Sequence, residues 1–380
     1  MRLTREHLLA PLALAAAIAA APAHAEDMRN MIGYLGTGPQ PTTGNTPSTA
    51  AWRIDPNATF NGVTNALSGT ARLTFTTTEA AGSFRCSGAL LPGGQYVLTA
   101  GHCTDGLIAM TVQFGWAAGV AAETRTVVSY VQHPGWIAGG GTLDDGSDLS
   151  IVKLSAPVTN MRQYYLSTTN DVGKEQLITG YGATTVGSST SAPAFNDSGY
   201  GHYGWNVADV ESSVVFAAWD AANPGAGTYT PPTYGKTYVS DYDSANQTNN
   251  TLGRMQQLTG GSWTSGLALD NNREALISGG DSGGADFIWD AASGNWLISA
   301  VHSWGWQFCG GRITPTCDSS TTNSSSFGDL SGSTAVYTHI PWIESVIGQV
   351  VTVPEPGTYG MMALGLLAMG AYSRRRAARA

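Results

Sequence analysis

Residues 278–284 read Ser-Gly-Gly-Asp-Ser-Gly-Gly, a run that few regular backbones accommodate. Glycines on both sides of Asp281 and Ser282 tolerate positive φ and let another chain come close to the main-chain N–H groups. A serine hydroxyl presented on such a bend, beside amides that can donate to a developing oxyanion, suits acyl transfer. The same composition also describes an ordinary surface turn. Two further segments decide between these readings, because they supply a base and an acid.

The second segment runs from Cys86 to Cys103: a strand, a Pro-Gly-Gly turn, then a strand ending in Thr99-Ala100-Gly101-His102-Cys103. The third is Asp148-Leu149-Ser150-Ile151-Val152-Lys153-Leu154, an acid leading into an alternating apolar strand. His102 and Asp148 are 46 positions apart. Together the three blocks resemble the His, Asp and Ser blocks of the chymotrypsin-like (trypsin-like) serine peptidases, in that family's chain order. Gly101 stands where the family usually has Ala. The Asp148-to-Ser282 separation is longer than usual, which implies an insertion. The resemblance spans most of residues 59–350.

The resemblance implies an all-β fold of two antiparallel six-stranded β-barrels of chymotrypsin type, closed by a short C-terminal helix. It implies Ser282 as nucleophile, His102 as general base, and Asp148 as the acid that orients the imidazole. The backbone N–H groups of Gly280 and Ser282 would form the oxyanion hole. The expected substrates are proteins or peptides, and the chemistry calls for no metal or organic cofactor. A serine hydroxyl is a weak nucleophile until a neighbour takes its proton, and imidazole titrates in the right range. Seven histidines are available. His7 and His24 fall in a segment expected to be removed, and of His102, His133, His202, His302 and His339 only His102 sits in a matching motif.

Only 12% of the 380 residues are charged and 48 are glycine, too few charges and too many turn residues for a helical bundle. Short alternating segments between Gly, Asn and Ser clusters agree with an all-β chain. The formal net charge is −9, and much of the positive charge sits at the ends, in Arg2, Arg5, Arg374, Arg375, Arg376 and Arg379. So acidic a body argues against nucleic acid or an anionic membrane surface as partner.

Residues 1–25 read as a secretory signal: Arg2 and Arg5, an apolar stretch over 8–21, and Ala23-His24-Ala25 as the cleavage site. Residues 26–59 are rich in Pro, Thr and Gly and read as an extension or propeptide. At the other end, Val353-Pro354-Glu355-Pro356 precedes a mostly apolar run over 357–373 and then an arginine cluster. By length this is a short hydrophobic helix with a positive stop, expected to insert transiently in a membrane. The pattern over 353–380 resembles the PEP-CTERM sorting signal of Gram-negative bacteria. That likeness implies an exosortase-type processing partner, export through the inner membrane, and release to the cell surface or extracellular matrix.

Four cysteines in an exported chain imply two disulfides. Cys86 and Cys103 match the pair that closes the histidine loop in the resembled family, and Cys309 and Cys317 are expected to pair locally. Ser278 occupies the serine-loop position where relatives often carry a cysteine. A zinc site lacks the Cys-x-x-Cys spacing.

The expected layout is a first barrel over 60–167 with strands near 71–78, 96–100, 110–114, 124–132 and 149–154. A second barrel over 168–350 begins near Gln176 and carries an enlarged loop over about 184–260. Asp241-Tyr242-Asp243 in that region hints at a calcium loop, but the carboxylate ladder and terminal Glu are missing, so a surface loop is expected. Residues 296–303 and 335–338 read as strands. Over 341–350, Trp342, Ile343, Val346, Ile347 and Val350 share one helical face.

By motif alignment, Ser303, Trp304 and Gly305 form the strand to which a peptide substrate adds, and Ser303 also supports Asp148. Leu276, followed by Ile277, lies at the base of the primary pocket. A trypsin-type pocket needs an acid there, since a buried cation without a partner is costly. Ala335 would narrow the pocket. The expected preference is an uncharged apolar or small residue before the scissile bond. His302 keeps a glutamate-selective alternative open. For activation, no Ile-Val-Gly-Gly is present, and Phe60-Asn61-Gly62-Val63 and Met31-Ile32-Gly33 are the candidate new N-termini. A catalytically inactive barrel used as a surface or matrix binding protein is the alternative from a different class. An esterase would share the acyl chemistry, but Gly-Asp-Ser-Gly-Gly is not the nucleophile elbow of α/β-hydrolases.

Overall fold

In the computed structural model, residues 36–38, 49–191, 193–223, 229–244, 249–266, 269, 274–307 and 325–353 are described. The alternation in the first half becomes a closed barrel. Its strands are β1 (Thr70–Thr77), β2 (Phe84–Leu90), β3 (Tyr96–Thr99), β4 (Leu107–Phe114), β5 (Glu123–Gln132) and β6 (Ser150–Leu154), in the order β1-β2-β3-β6-β5-β4. Leu73, Val97, Val112, Phe114 and Val152 fill the interior, each with no exposure. β3 and β6 are antiparallel, with Thr99 opposite Ser150 and Leu98 opposite Ile151. The residues just after β3 and just before β6 therefore meet at one rim, and these are His102 and Asp148.

The second half departs from the expected six-stranded barrel. It is a seven-stranded sheet of β7 (Glu175–Gly180), β8 (His202–Val207), β9 (Val210–Glu211), β10 (Thr237–Asp241), β12 (Ala285–Asp290), β13 (Asn295–Trp306) and β14 (Leu330–Ala335), ordered β8-β7-β12-β13-β14-β10-β9. The edge strands β8 and β9 are consecutive in the chain, so the sheet curls round through the turn at Ala208 and Asp209 without an edge-to-edge ladder. The Asn206 amide spans the gap by donating to the Asp241 carbonyl at 2.9 Å. A short strand, β11 (Leu276–Gly279), leads into the nucleophile loop and pairs with Gly36–Gly38 of the N-terminal extension.

The region expected as an enlarged loop holds strands β8 to β10 and two helices. α2 (Ser212–Ala222) buries Ser212, Val215, Phe216 and Trp219, positions that recur at helical spacing. α3 (Thr251–Thr259) starts at Asn250, whose side chain accepts from the Gly253 amide, and stops at Gly260 with φ +67°. Val215, Phe216 and Trp219 pack with Leu252, Met255 and Trp304 in a second apolar cluster. The surface loop expected at Asp241-Tyr242-Asp243 is overturned: the three are 2%, 0% and 4% exposed, Asp241 ending β10, Tyr242 packing with Leu276 and Phe327, and the Asp243 amide donating to Glu274.

Near the C-terminus, 335–338 is not a strand: β14 ends at Ala335 and Val336–Thr338 is a 3-10 turn. The closing helix, α4 (Ile340–Ile347), buries Ile343 and Ile347 and ends at Gly348 with φ +70°, which leaves Val350 59% exposed and off the expected face. Among the described residues no helix is long and apolar enough to cross a membrane. The signal segment 1–25, most of 26–59, Cys309, Cys317 and the hydrophobic run 357–373 lie outside the described residues.

Candidate active site

His102 opens a short 3-10 turn, His102–Thr104, at the end of β3. Asp148 reaches it from the start of β6: its Oδ1 accepts from the His102 amide at 2.9 Å, and its Oδ2 lies 2.8 Å from His102 Nδ1. The carboxylate is fully buried and takes a further hydrogen bond at 2.5 Å from Ser303 Oγ on β13. This geometry leaves the proton on Nδ1 and frees Nε2 as a base. Nε2 is buried and makes no hydrogen bond among the described residues. The Trp136 ring stands 6.3 Å from the imidazole. Trp136 belongs to α1 (Pro134–Ala138).

The Cys86–Cys103 disulfide forms as the resemblance implies, with Cα atoms 6.2 Å apart. It brings β2 and the histidine turn against the nucleophile loop. Ser87 donates its amide to the Ser282 carbonyl at 2.7 Å, and its hydroxyl to the Gly280 carbonyl at 2.9 Å. Cys103 Sγ touches the same Ser282 carbonyl at 3.6 Å. Cys86, His102 and Cys103 place ligand-type atoms within 4.8 Å of one another. Both sulfurs are committed to the disulfide, so the trio has no thiolate to offer a metal.

Within the loop, Gly280 has φ +107°. At Gly283 a Cβ would come within 2.0 Å of Thr99 Oγ1, so both glycines are required by space or backbone. The amides of Asp281, Gly283 and Gly284 donate to the carbonyls of Ser278, His302 and Asp281. Those of Gly280 and Ser282 have no protein acceptor among the described residues. They are the pair expected to receive an oxyanion. Ser282 itself is 3% exposed.

Asp281 points away from solvent. Its Oδ1 accepts from the Gly182 amide at 2.6 Å, and burial pushes its carboxyl up to about 8, with His302, that amide and Arg85 acting the other way. Phe60 and Val63, proposed as part of a new N-terminus, lie paired in a hairpin, and the Phe60 carbonyl accepts from Trp296 Nε1.

The pocket residues read from the motifs separate. Leu276 packs with Tyr242 and Phe327, and Ile277 with Ile178 and Ala275. Ser303, Trp304 and Gly305 are buried on β13, Trp304 with no exposure. His302 is fully buried, with Nε2 2.6 Å from Asp286 Oδ1. Asp286 raises its pKa against the effect of burial. Ala335 pairs with Ala300, whereas Gly332 stands opposite Trp304. Gly332 is the small residue that motif reading missed: a Cβ there would lie 2.0 Å from Trp304 Cε2. The signal was the strand register between β13 and β14, which the flanking Val-Tyr pair does not carry.

A base with one free nitrogen, an acid behind it, and two unengaged amides beside a serine form an arrangement able to drive acyl transfer. The trypsin family pattern matches residues 63–198, and the PEP-CTERM protein-sorting motif matches residues 352–376. Each resemblance read from the sequence thus meets a matching family pattern, the trypsin pattern over the closed barrel and the first strand of its partner sheet. The sorting motif indicates export and exosortase-dependent surface or extracellular localisation. A solved structure titled as HL collagenase at 1.7 Å resolution is 16% identical with a TM-score of 0.46, covering 74% of this chain and 94% of that one. No curated protein sequence matches the chain.

Proposed function

We propose that the protein is a secreted serine endopeptidase that cleaves peptide bonds through an acyl-enzyme on Ser282. His102 Nε2 takes the Ser282 proton as the hydroxyl attacks the scissile carbonyl, and returns it to the leaving amine. Asp148 fixes the imidazole tautomer and stabilises the imidazolium. The amides of Gly280 and Ser282 hold the oxyanion. Water then repeats the sequence on the acyl-enzyme, with His102 again as base. The observation that carries this reading is the 2.8 Å contact from His102 Nδ1 to Asp148 Oδ2, on an imidazole whose other nitrogen has no partner.

An apolar or small residue before the scissile bond is the proposed preference, supported by Leu276 among Tyr242 and Phe327. The pairing of His302 with Asp286 argues against its holding a substrate glutamate. The proposed route is export by the signal segment, transient insertion of the run 357–373, and release after exosortase-type processing.

A catalytically inactive surface or matrix protein is the second reading, favoured by the enclosure of Ser282, which is only 3% exposed. Labelling the purified, exported protein with a fluorophosphonate, beside Ser282→Ala, separates the two. Labelling that vanishes in Ser282→Ala supports the peptidase. Folded protein that takes no label supports the inactive form.

A further inference from the structure

The inserted layer of helices reaches the catalytic acid through a residue with no part in the triad. Asp144 lies four positions before Asp148 and is 2% exposed. Its Oδ2 accepts from the Tyr229 hydroxyl at 2.7 Å. Tyr229 Oη also lies 3.2 Å from Ser212 Oγ, at the first turn of α2. Its ring packs 5.5 Å from Phe216, which in turn stands 6.2 Å from Trp304. Burial and the neighbouring carboxylate keep the Tyr229 phenol protonated, so it can only donate to Asp144. Asp144 Oδ1 is buried and makes no hydrogen bond among the described residues; burial pushes the carboxyl up to about 7, with Tyr229, Ser212, Trp304 and Thr237 acting the other way.

The next residue back completes the connection. The Leu143 carbonyl lies 3.1 Å from Ser303 Oγ, whose proton goes to the nearer, charged acceptor, Asp148 Oδ2 at 2.5 Å. Tyr229 therefore holds Asp144, and through it the segment that carries Leu143 and Asp148. The aromatic stack from the same tyrosine presses on the strand that carries Ser303 and Trp304.

We infer that Asp144 is a positioning residue for the reaction: gripped by Tyr229 of the inserted layer, it fixes the segment that orients Asp148, Ser303 and hence His102. This rests on the proposed peptidase reading. It gives the inserted region a task at the active site, through one buried hydrogen bond that joins it to the first barrel's rim. The bond is charge-assisted when Asp144 is ionised, and a buried carboxyl deprived of its donor would reorient toward another.

The test compares wild type, Asp144→Leu, which cannot accept from Tyr229, Tyr229→Phe and the double variant by peptide hydrolysis. The expected result is a fall in kcat of about tenfold for each single variant, with KM within about twofold. The double variant should be no slower than either single, since all three break one bond. Unchanged kcat in folded single variants, or losses that multiply in the double, would overturn the inference. Amide hydrogen exchange supplies an arm that needs no turnover. Exchange over 143–149 should quicken about tenfold in Tyr229→Phe while β1 and β2 stay unchanged. Exchange that stays the same over 143–149 overturns the clamp. A wild type that hydrolyses nothing overturns the peptidase reading instead, and the exchange arm then still decides whether Tyr229 holds this segment.

Discussion

His133 Nε2 lies 3.2 Å from His339 Nδ1, the two rings edge to face with centroids 4.6 Å apart. The remaining nitrogens fix every proton. His133 Nδ1 accepts from the Gly135 amide, so its proton is on Nε2. His339 Nε2 donates to the Gly146 carbonyl at 2.7 Å, so its Nδ1 is the acceptor. Both rings are neutral, and neither can take a proton without losing an accepted hydrogen bond. The relay ties α4 to the turn two residues before Asp148.

Acid should break this relay. Burial, with His133 beside it, lowers His339 from 6.5 to about 4. An unfolded His339 takes up a proton below its ordinary pKa while the folded one resists, so stability is full above about 6.5 and is lost as pH falls toward 4. The midpoint of urea unfolding should drop between these limits. His339→Gln, which keeps a donor for Gly146 but cannot be charged, should flatten that decline.

The opposite pH response is expected from the acids under β11. Asp209, Asp241, Asp243 and Glu274 are each at most 7% exposed. Burial, and for Asp209, Asp243 and Glu274 also the neighbouring carboxylates, hold their pKa values up, Glu274 at about 8. The folded chain keeps protons that the unfolded chain releases near 4, so this contribution to stability falls as pH rises through 8. Asp243 Oδ1 has no hydrogen bond. Asp243→Asn should therefore raise stability by at least about 1 kcal/mol at pH 8.5 and change little at pH 5. Equal effects at both pH values would refute the assignment.

Two side chains on Asp148 should differ greatly in weight. Asp148→Asn removes the charge and reverses the tautomer preference of His102, for an expected loss of about 10⁴ in kcat. Ser303→Ala removes one donor from a carboxylate that keeps two contacts with His102, for a loss of about tenfold. Steady-state kinetics on one peptide decides the ranking, and equal losses would contradict it.

Gly332→Ala places a methyl group where the Trp304 ring now lies. Overpacking at such a site costs about 1–3 kcal/mol. The expected result is a lower unfolding midpoint and a raised KM, since β13 must shift. Gly294→Ala, at a position with φ +65° but open space around it, should lower stability and leave KM alone.

What the sequence made legible was local. Thr99-Ala100-Gly101-His102-Cys103, Asp148 before its strand, and the glycines around Ser282 each carry their signal within a few residues. The alternation in β1 and β3 is likewise local, because one face of each strand fills the barrel. The confinement of Gly332 was not legible, because register depends on a partner strand and only the pairing of Trp304 with Gly332 reveals it. The helices at 212–222 and 251–259 were hidden by abundant Asn, Gly and Tyr around them. Ser212, Val215, Phe216 and Trp219 nevertheless held a helical spacing that could have exposed the first. The burial of Asp241 and Asp243 had no local signal, since β10, which ends at Asp241, pairs with β14 from a distant part of the chain, and the Asp243 amide donates to Glu274.

The disulfide has a consequence for when the site assembles. Cys86 and Cys103 hold together the two places that grip the Ser282 carbonyl, one through the Ser87 amide and one through the Cys103 sulfur. Thiols stay reduced in a cytosol and oxidise only after export. A newly made chain that folded too early would thus present its serine on a loose loop, away from a settled histidine. On the proposed peptidase reading, that dependence on oxidation delays assembly of the triad until after export.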